Sequence, residues 1–315
     1  MKLSRALVLA LAIAACRDSL GSKAAPALPL LLTVISNPGT SGATDLYSLS
    51  PDGVTLRPLT QTPLIWEVEP TWSPDHRQIA YRWLPESGST LEAEIHIIGA
   101  DGKGDRRLLG PGDLGPPAWS PDGKFIAFDQ GDSASSRRRA LMLIRPDGTD
   151  LHAVLDRGAT DGSPAWSPNS SSLVFTSNCL ANAPPCWVTT IWTVRLADTA
   201  LRQLTFADPA DSLGQEDSYY PQWSPDGGSV AMQHGSRTHV YVVPATGGPL
   251  TRVDTALTGF EQGWSPAWSP DGAELAFVGG LFSGPQLWLV NRDGSEARPI
   301  EVTIPGTLRI VRWAQ

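Results

Sequence analysis

The chain has 315 residues, of which 41% are hydrophobic and 18% charged, and it contains 30 glycines and 28 prolines. Glycine and proline at this density separate many short elements, so the composition argues against a helical protein, while the apolar content is ample for a buried core. The net charge of −8, with no basic run beyond three arginines at 137–139, argues against a nucleic-acid partner.

The first residues have the pattern of a secretory signal peptide. Lys2 and Arg5 supply a positive start, and an apolar run covers residues 6–15. A run of that length is too short to cross a bilayer as a helix, which takes about 20 residues. We therefore predict a signal peptide over residues 1–15.

The cysteine after that run lies where a lipid-attachment site is expected. Cys16 follows Ile-Ala-Ala at 13–15, which resembles a lipobox, the motif after which bacteria lipidate the cysteine and cut before it. We predict a lipidated Cys16 and a flexible tether over residues 16–30, with an ordinary cleavable signal as the alternative. Arg17 stands where an aspartate would resemble an inner-membrane retention signal, so we expect outer-membrane sorting, facing the periplasm.

The two other cysteines share one loop. Cys179 and Cys186 are separated by six residues. In an oxidising compartment such a pair is more often a disulfide than a metal site, although both alternatives stay open. We predict a local disulfide, which would fix a loop rather than hold the fold together, because a short ring gains little from closure entropy.

An internal repeat organises the rest of the chain. The phrase Trp-Ser-Pro, usually continued as Asp-Gly, occurs five times, and a sixth tryptophan stands near the C-terminus. Neighbouring copies lie 45 to 57 residues apart, and a second phrase, with an apolar stretch and in most copies an Asp-Gly or Gly-Gly turn, lies between them. The repeated tryptophans are Trp72, Trp119, Trp166, Trp223, Trp268 and Trp313.

Each repeat unit predicts four short strands. Pro-x-Trp-Ser forms one strand, Ser-Pro-Asp-Gly fits a type I turn, and the next apolar stretch, such as residues 124–128, forms a buried strand. The second phrase adds an alternating strand and an outer strand, and four strands per unit are typical of a propeller blade. We therefore predict an all-β fold over residues 31–315, a six-bladed β-propeller with four antiparallel strands per blade. The C-terminal strand around Trp313 is expected to close the first blade.

The repeat also points to a family. The phrase Trp-Ser-Pro-Asp-Gly-x-x-(Ile/Leu/Val)-Ala-Phe resembles the TolB-like (WD40-like) propeller repeat, and the resemblance covers nearly all of residues 31–315. It is specific for the fold and says little about function, because related propellers bind envelope proteins, act as sensor modules or carry a peptidase domain. The repeated tryptophans are expected to pack between blades, and the turn aspartates, such as Asp122 and Asp271, to stabilise their turns.

Acidic residues recur before the repeated tryptophans. Five loops carry an acid five to seven residues upstream of the tryptophan. If the strand that ends on the tryptophan lines the central channel, these carboxylates ring its mouth and attract a cation, a basic segment or sugar hydroxyls. The alternative is that they are solvated or cap turns. The candidate binding face consists of Trp66, Glu67, Glu69, Asp113, Asp161, Glu216, Asp217, Tyr219, Tyr220, Glu261 and Trp264.

Motifs for catalysis are scarce. The sequence has neither a Gly-x-Ser-x-Gly nucleophile elbow nor a His-Glu-x-x-His zinc motif, and its five histidines are scattered among the repeat units. His234 and His239 flank one loop and could both reach a metal, but they would need carboxylates from other blades. We predict no cofactor and no catalytic residue.

These observations favour a binding protein over an enzyme. We predict a monomeric, membrane-anchored module of the bacterial cell envelope that binds a protein or peptide partner, touches the membrane through its lipid alone and binds no nucleic acid. One alternative is a propeller enzyme of the polysaccharide lyase or lactonase type, with a divalent metal in its channel. Another is a structural scaffold without a small-molecule site.

Overall fold

A computed structural model describes residues 30–35, 43–50, 54–132, 135–178, 188–206, 217–235, 239–255, 262–281, 284–301 and 307–313. The signal peptide, Cys16 and nearly all of the tether lie outside these residues. So do Cys179, Cys186, Glu216 and Glu261, and what the sequence suggests for them stays a prediction.

The described chain consists mainly of β-strands. The strands of the first two repeat units are β1 (Leu30–Ile35), β2 (Thr44–Leu49), β3 (Leu56–Pro58), β4 (Trp66–Trp72), β5 (Gln78–Leu84), β6 (Ala93–Gly99) and β7 (Arg106–Gly112). They are followed by β8 (Ala118–Trp119), β9 (Ile126–Asp132), β10 (Ser135–Ile144), β11 (His152–Leu155), β12 (Asp161–Trp166), β13 (Ser172–Ser177), β14 (Thr190–Arg195) and β15 (Leu201–Gln203). The last are β16 (Ser218–Trp223), β17 (Ser229–His234), β18 (His239–Pro244), β19 (Thr251–Arg252), β20 (Gln262–Trp268), β21 (Glu274–Leu281), β22 (Gly284–Asn291), β23 (Arg298–Pro299) and β24 (Thr307–Trp313).

The described residues contain very little helical structure. A short 3₁₀ turn covers Thr90–Glu92 between β5 and β6. Within the described ranges, no helix is long and apolar enough to span a membrane.

The described strands form five sheets, so the prediction of a six-bladed propeller is wrong. Four sheets have four strands each, β8–β11, β12–β15, β16–β19 and β20–β23. The fifth has eight strands, because β2 and β4 are joined by one parallel pair, Thr44 with Trp66. Thr44 reinforces this seam by donating from its backbone nitrogen to the Ile65 carbonyl (3.1 Å) and from its hydroxyl to the Glu67 carbonyl (3.0 Å). Within the sheets the neighbouring strands otherwise run antiparallel, as predicted.

The first and last described strands pair with each other. β24 runs antiparallel to β1, from the pair Leu30–Trp313 to the pair Ile35–Thr307. Val311 of β24 is fully buried and packs with Val278 of the neighbouring sheet. The pairing closes the ring of sheets and covers the edge that β1 would otherwise expose.

The core lies between neighbouring sheets, and the repeated tryptophans belong to it. Trp268 is fully buried, and Trp166 packs with the buried Phe175. The indole nitrogen of Trp166 donates to the Ala118 carbonyl of the preceding unit at 3.0 Å, and that of Trp268 donates to the Gln222 carbonyl at 3.2 Å. The predicted packing role of these tryptophans is confirmed.

The turns after four of the repeated tryptophans are each held by an aspartate, Asp75, Asp122, Asp226 or Asp271. Asp122 Oδ1 accepts hydrogen bonds from the Ser120 hydroxyl at 2.8 Å and from the Lys124 backbone nitrogen at 3.1 Å. In the third unit Asn169 replaces the aspartate and accepts the equivalent bond from the Ser167 hydroxyl at 2.8 Å. An uncharged amide oxygen can therefore accept the hydrogen bond that closes the turn. This confirms the prediction that these side chains stabilise their turns.

Candidate functional site

The sheets surround a central cavity of about 410 Å³. That volume lies within the range of about 300–1,000 Å³ typical of ligand sites. We call the six strands that end on the repeated tryptophans, β4, β8, β12, β16, β20 and β24, the inner strands. The walls of the cavity come from all of them except β20, and from the turns that follow the tryptophans. The turns contribute a ring of prolines, Pro74, Pro121, Pro168, Pro225 and Pro270.

Four inner strands share a distortion three residues before the tryptophan. The pairing of each strand with its neighbour shifts register there, and the residue at the shift has a left-handed backbone conformation although it is not glycine. Left-handed residues of this kind cost about 1–3 kcal/mol and persist where the surrounding structure fixes them, often at functional sites. They are Glu69 (φ 56°), Ser163 (φ 51°), Tyr220 (φ 51°) and Ser265 (φ 58°), and the first three line the cavity.

Two of the predicted acids form ion pairs inside the sheets. The fully buried Asp161 accepts two hydrogen bonds from Arg157, at 2.9 and 2.8 Å, and Arg157 also bonds the Ser177 hydroxyl. Asp113 accepts a hydrogen bond from Arg139 at 2.7 Å, and the same arginine pairs with Asp129. Neither Asp113 nor Asp161 lines the cavity.

Two further predicted acids are held by neutral donors. Asp217 accepts hydrogen bonds from the Thr189 backbone nitrogen at 2.6 Å and the Tyr219 hydroxyl at 2.8 Å. The buried Glu67 accepts one from the Thr62 hydroxyl at 2.6 Å, and its Oε2 has no hydrogen-bond partner among the described residues. Burial raises the pKa of Glu67 to about 7, although threonine hydroxyls lower it in part.

The predicted binding face is therefore not gathered at one place. Of its described acids, Glu69 lines the cavity, and of its aromatic residues Tyr220 does so. Trp264 packs against the core and donates from its indole nitrogen to the Arg309 carbonyl at 2.9 Å. Trp66 packs against a different core cluster, beside Leu84.

A cluster of charged and polar side chains stands at the cavity instead. Glu69 forms an ion pair with Arg82 at 3.3 Å, and both side chains are largely buried. Arg312, from β24, lines the cavity and donates to the Ser265 hydroxyl at 2.8 Å. Burial lowers the pKa of Arg312, an effect that the nearby Glu69 and Tyr220 only partly offset.

The tyrosine of this cluster is held in its neutral form. Burial raises the pKa of Tyr220, the negative charge of Glu69 adds to the rise, and Arg312 and Arg82 oppose it. Its hydroxyl is therefore a neutral hydrogen-bond donor at physiological pH.

Three members of this cluster, Arg82, Ser265 and Arg312, were not predicted from the sequence. A signal for Arg312 does exist in the alignment of the repeats. The residue just before the tryptophan is Thr71, Ala118, Ala165, Gln222 or Ala267 in the other units, and it is an arginine before Trp313.

The described residues offer no ready metal site. In that part of the chain no three His, Cys, Asp or Glu side chains lie where they could share a metal ion. Both histidines considered from the sequence bond within their own sheet. His234 contacts the Ser218 hydroxyl at 2.9 Å, and His239 contacts Asp254 at 2.9 Å.

Comparison with known proteins places this geometry among propellers. No family model matches the chain. In sequence it is similar to the Tol-Pal system protein TolB 1 of Novosphingobium aromaticivorans, with 42% identity over 74 residues, which cover 23% of this chain and 15% of that protein. The chain spans between 15% and 30% of the length of three curated relatives that it matches.

Solved structures extend the likeness over most of the chain. The crystal structure of TolB from Acinetobacter baumannii matches with a TM-score of 0.72 and 20% identity, covering 91% of this chain and 66% of that one. The fold is a TolB-like β-propeller. An oligogalacturonate lyase in complex with manganese also matches, with a TM-score of 0.54 and 19% identity, covering 78% of this chain and 71% of that one. At these identities the structural matches show the fold alone.

Proposed function

We propose that the protein is a binding module of the bacterial cell envelope that holds a segment of a partner protein in its central cavity. The observation that carries the proposal is the cavity itself, which is large enough for a few residues of an extended chain. Its tryptophan and proline walls suit apolar side chains, and the cluster at Glu69 and Arg312 provides polar contacts that would fix orientation. The name of the Novosphingobium relative, which assigns that protein to the Tol-Pal system, supports a role in the envelope.

The anchor is the second part of the proposal. The apolar run and the Ile-Ala-Ala-Cys sequence ending at Cys16 support a lipid that ties the propeller to the outer membrane. We expect Cys16→Ser to move the protein from the membrane fraction to the soluble fraction of lysed cells. If the variant and the unaltered protein were found in the same fraction, the proposed anchor would be contradicted, and the proposed function of the cavity would not be affected.

The enzyme alternative has less support. The fold is shared with an oligogalacturonate lyase in complex with manganese. The described residues of this chain, however, do not bring together three side chains able to ligate a metal, so this part of the chain does not fit a metal-dependent lyase. Binding without chemistry accounts for the cavity more simply.

Photo-crosslinking from inside the cavity tests the proposed function. Gln222 lies on inner strand β16 and lines the cavity, whereas Thr251 is exposed on β19 of the same sheet. A diazirine-bearing amino acid at position 222 is expected to give a discrete covalent adduct with one envelope protein in intact cells, because the partner segment lies within its reach. The same amino acid at position 251 should not give that adduct.

Mass spectrometry identifies the adduct and maps the crosslinked residues of the partner. We expect these residues to form one short continuous segment. Either the absence of an adduct at position 222 or identical adducts at positions 222 and 251 would contradict binding in the cavity.

A further inference from the structure

One side chain differs from its counterparts in the cavity wall. The positions immediately before the tryptophans carry threonine, alanine or glutamine in the other units, whereas the last inner strand carries Arg312. Four of these other residues also line the cavity. The closing strand therefore places a long cationic side chain where the other units carry a neutral residue, short in all of them except Gln222.

The hydrogen bonds of Arg312 use only part of its guanidinium. Its Nη1 donates to the Ser265 hydroxyl and to the Val311 carbonyl, both at 2.8 Å. An arginine has five N–H donors, and those on Nε and Nη2 have no partner within the described ranges. No carboxylate of the described residues lies within ion-pair distance of it.

The described charges around Arg312 give the cavity a positive balance. Among the lining residues that the structure describes, Glu69 is the one carboxylate, and it already pairs with Arg82 at 3.3 Å. Two guanidinium groups thus face a single carboxylate. The hydroxyl of Tyr220, on the same wall, is a further donor without a partner in the part of the chain that the structure describes. Walls of low polarity strengthen the field of such a site.

We propose that the cavity binds its ligand through a carboxylate, which Arg312 receives with its free N–H groups and Tyr220 assists. A carboxylate matches the planar fork of a guanidinium, and its single negative charge balances the cavity. The inference rests on the proposed function and specifies its ligand as a peptide that presents a chain-end or side-chain carboxylate. It also reverses the expectation of a cationic ligand, because the four of those acids that the structure describes are paired or hydrogen-bonded inside the sheets.

Calorimetric titration of the purified protein with two pairs of matched peptides tests this inference. N-acetyl-Ala-Pro-Ala is compared as free acid and as amide, and N-acetyl-Ala-Pro-Asp-amide is compared with its Asn counterpart. We expect at least tenfold tighter binding of the carboxylate member in one or both pairs, and the pair that discriminates identifies the source of the carboxylate. Arg312→Gln should reduce the difference to less than twofold, and Arg312→Lys should retain part of it.

Two results would overturn the inference. One is equal binding of acid and amide, or no binding at all, by the unaltered protein. The other is undiminished discrimination in Arg312→Gln, provided that its thermal unfolding midpoint shows an intact fold. If crosslinking from position 222 still captures a partner, the binding function stands and the carboxylate inference alone fails.

Discussion

Replacing Arg157 with methionine is expected to lower the free energy of unfolding by about 3–5 kcal/mol at pH 8. The substitution leaves Asp161, which is fully buried, without the cation that now bonds both of its oxygens. Removing one partner of a buried pair leaves an uncompensated charge, and that cost exceeds the worth of the pair itself. Methionine keeps an unbranched apolar chain at this position but loses the contacts of the guanidinium with the rings of Phe175 and Trp192, at 5.7 and 5.1 Å. Urea denaturation measures the change.

Two further variants separate charge from packing. Arg157→Met combined with Asp161→Asn has no buried charge and should recover much of the lost stability. Arg195→Met removes an ion pair with Asp198 that lies in solvent, so it should leave the denaturation midpoint nearly unchanged. A single variant at Arg157 that is as stable as the unaltered protein would show that Asp161 is stabilised by something other than this pair.

Replacing Glu67 with glutamine is expected to make the protein more stable at pH 8, by up to about 3 kcal/mol. Burial, with a smaller contribution from Asp45 and Asp105, raises the pKa of this carboxyl from 4.5 to about 7. The folded protein therefore holds a proton that the unfolded chain releases above pH 4.5. The stability that this proton provides is complete below pH 4.5 and is lost as the pH rises through 7.

The pH dependence, rather than the absolute stability, tests this assignment. Glutamine has no charge and keeps an amide oxygen for the Thr62 hydroxyl, which now donates to Glu67 at 2.6 Å. The gain in stability should therefore be present at pH 8 and close to zero at pH 4.5, by urea denaturation at both values. Glu86→Gln, at an exposed position, should show no such difference. A gain that is the same at both pH values would mean that folding does not raise the pKa of Glu67.

The repeat made the strands predictable, because its turn and tryptophan phrases recur at nearly constant spacing. The number of sheets was not predictable in the same way. It depends on one parallel pair, Thr44 with Trp66, between residues of different repeat units that carry no special motif. This single pair joins the strands of the first two repeat units into one eight-stranded sheet.

The candidate site was less predictable than the fold. The sequence shows where acids stand, but not which cations fold against them. Arg139 lies 26 residues from Asp113 along the chain and reaches it because its pairing partner on β9, Gly131, donates to the Asp113 carbonyl at 2.8 Å. The alignment of the repeats distinguishes Arg312 from its counterparts, but its place in the cavity wall depends on the pairing of β24 with β1, which the sequence does not show.

That closure links binding to the integrity of the whole ring. Arg312 belongs to β24, and it stands in the cavity wall only while β24 remains paired with β1. A peptide that contacts both Arg312 and the walls of other sheets would bridge the junction between β1 and β24. Opening the ring there would require release of the peptide, so a bound peptide would stabilise the closed propeller by an amount that rises with its affinity and concentration.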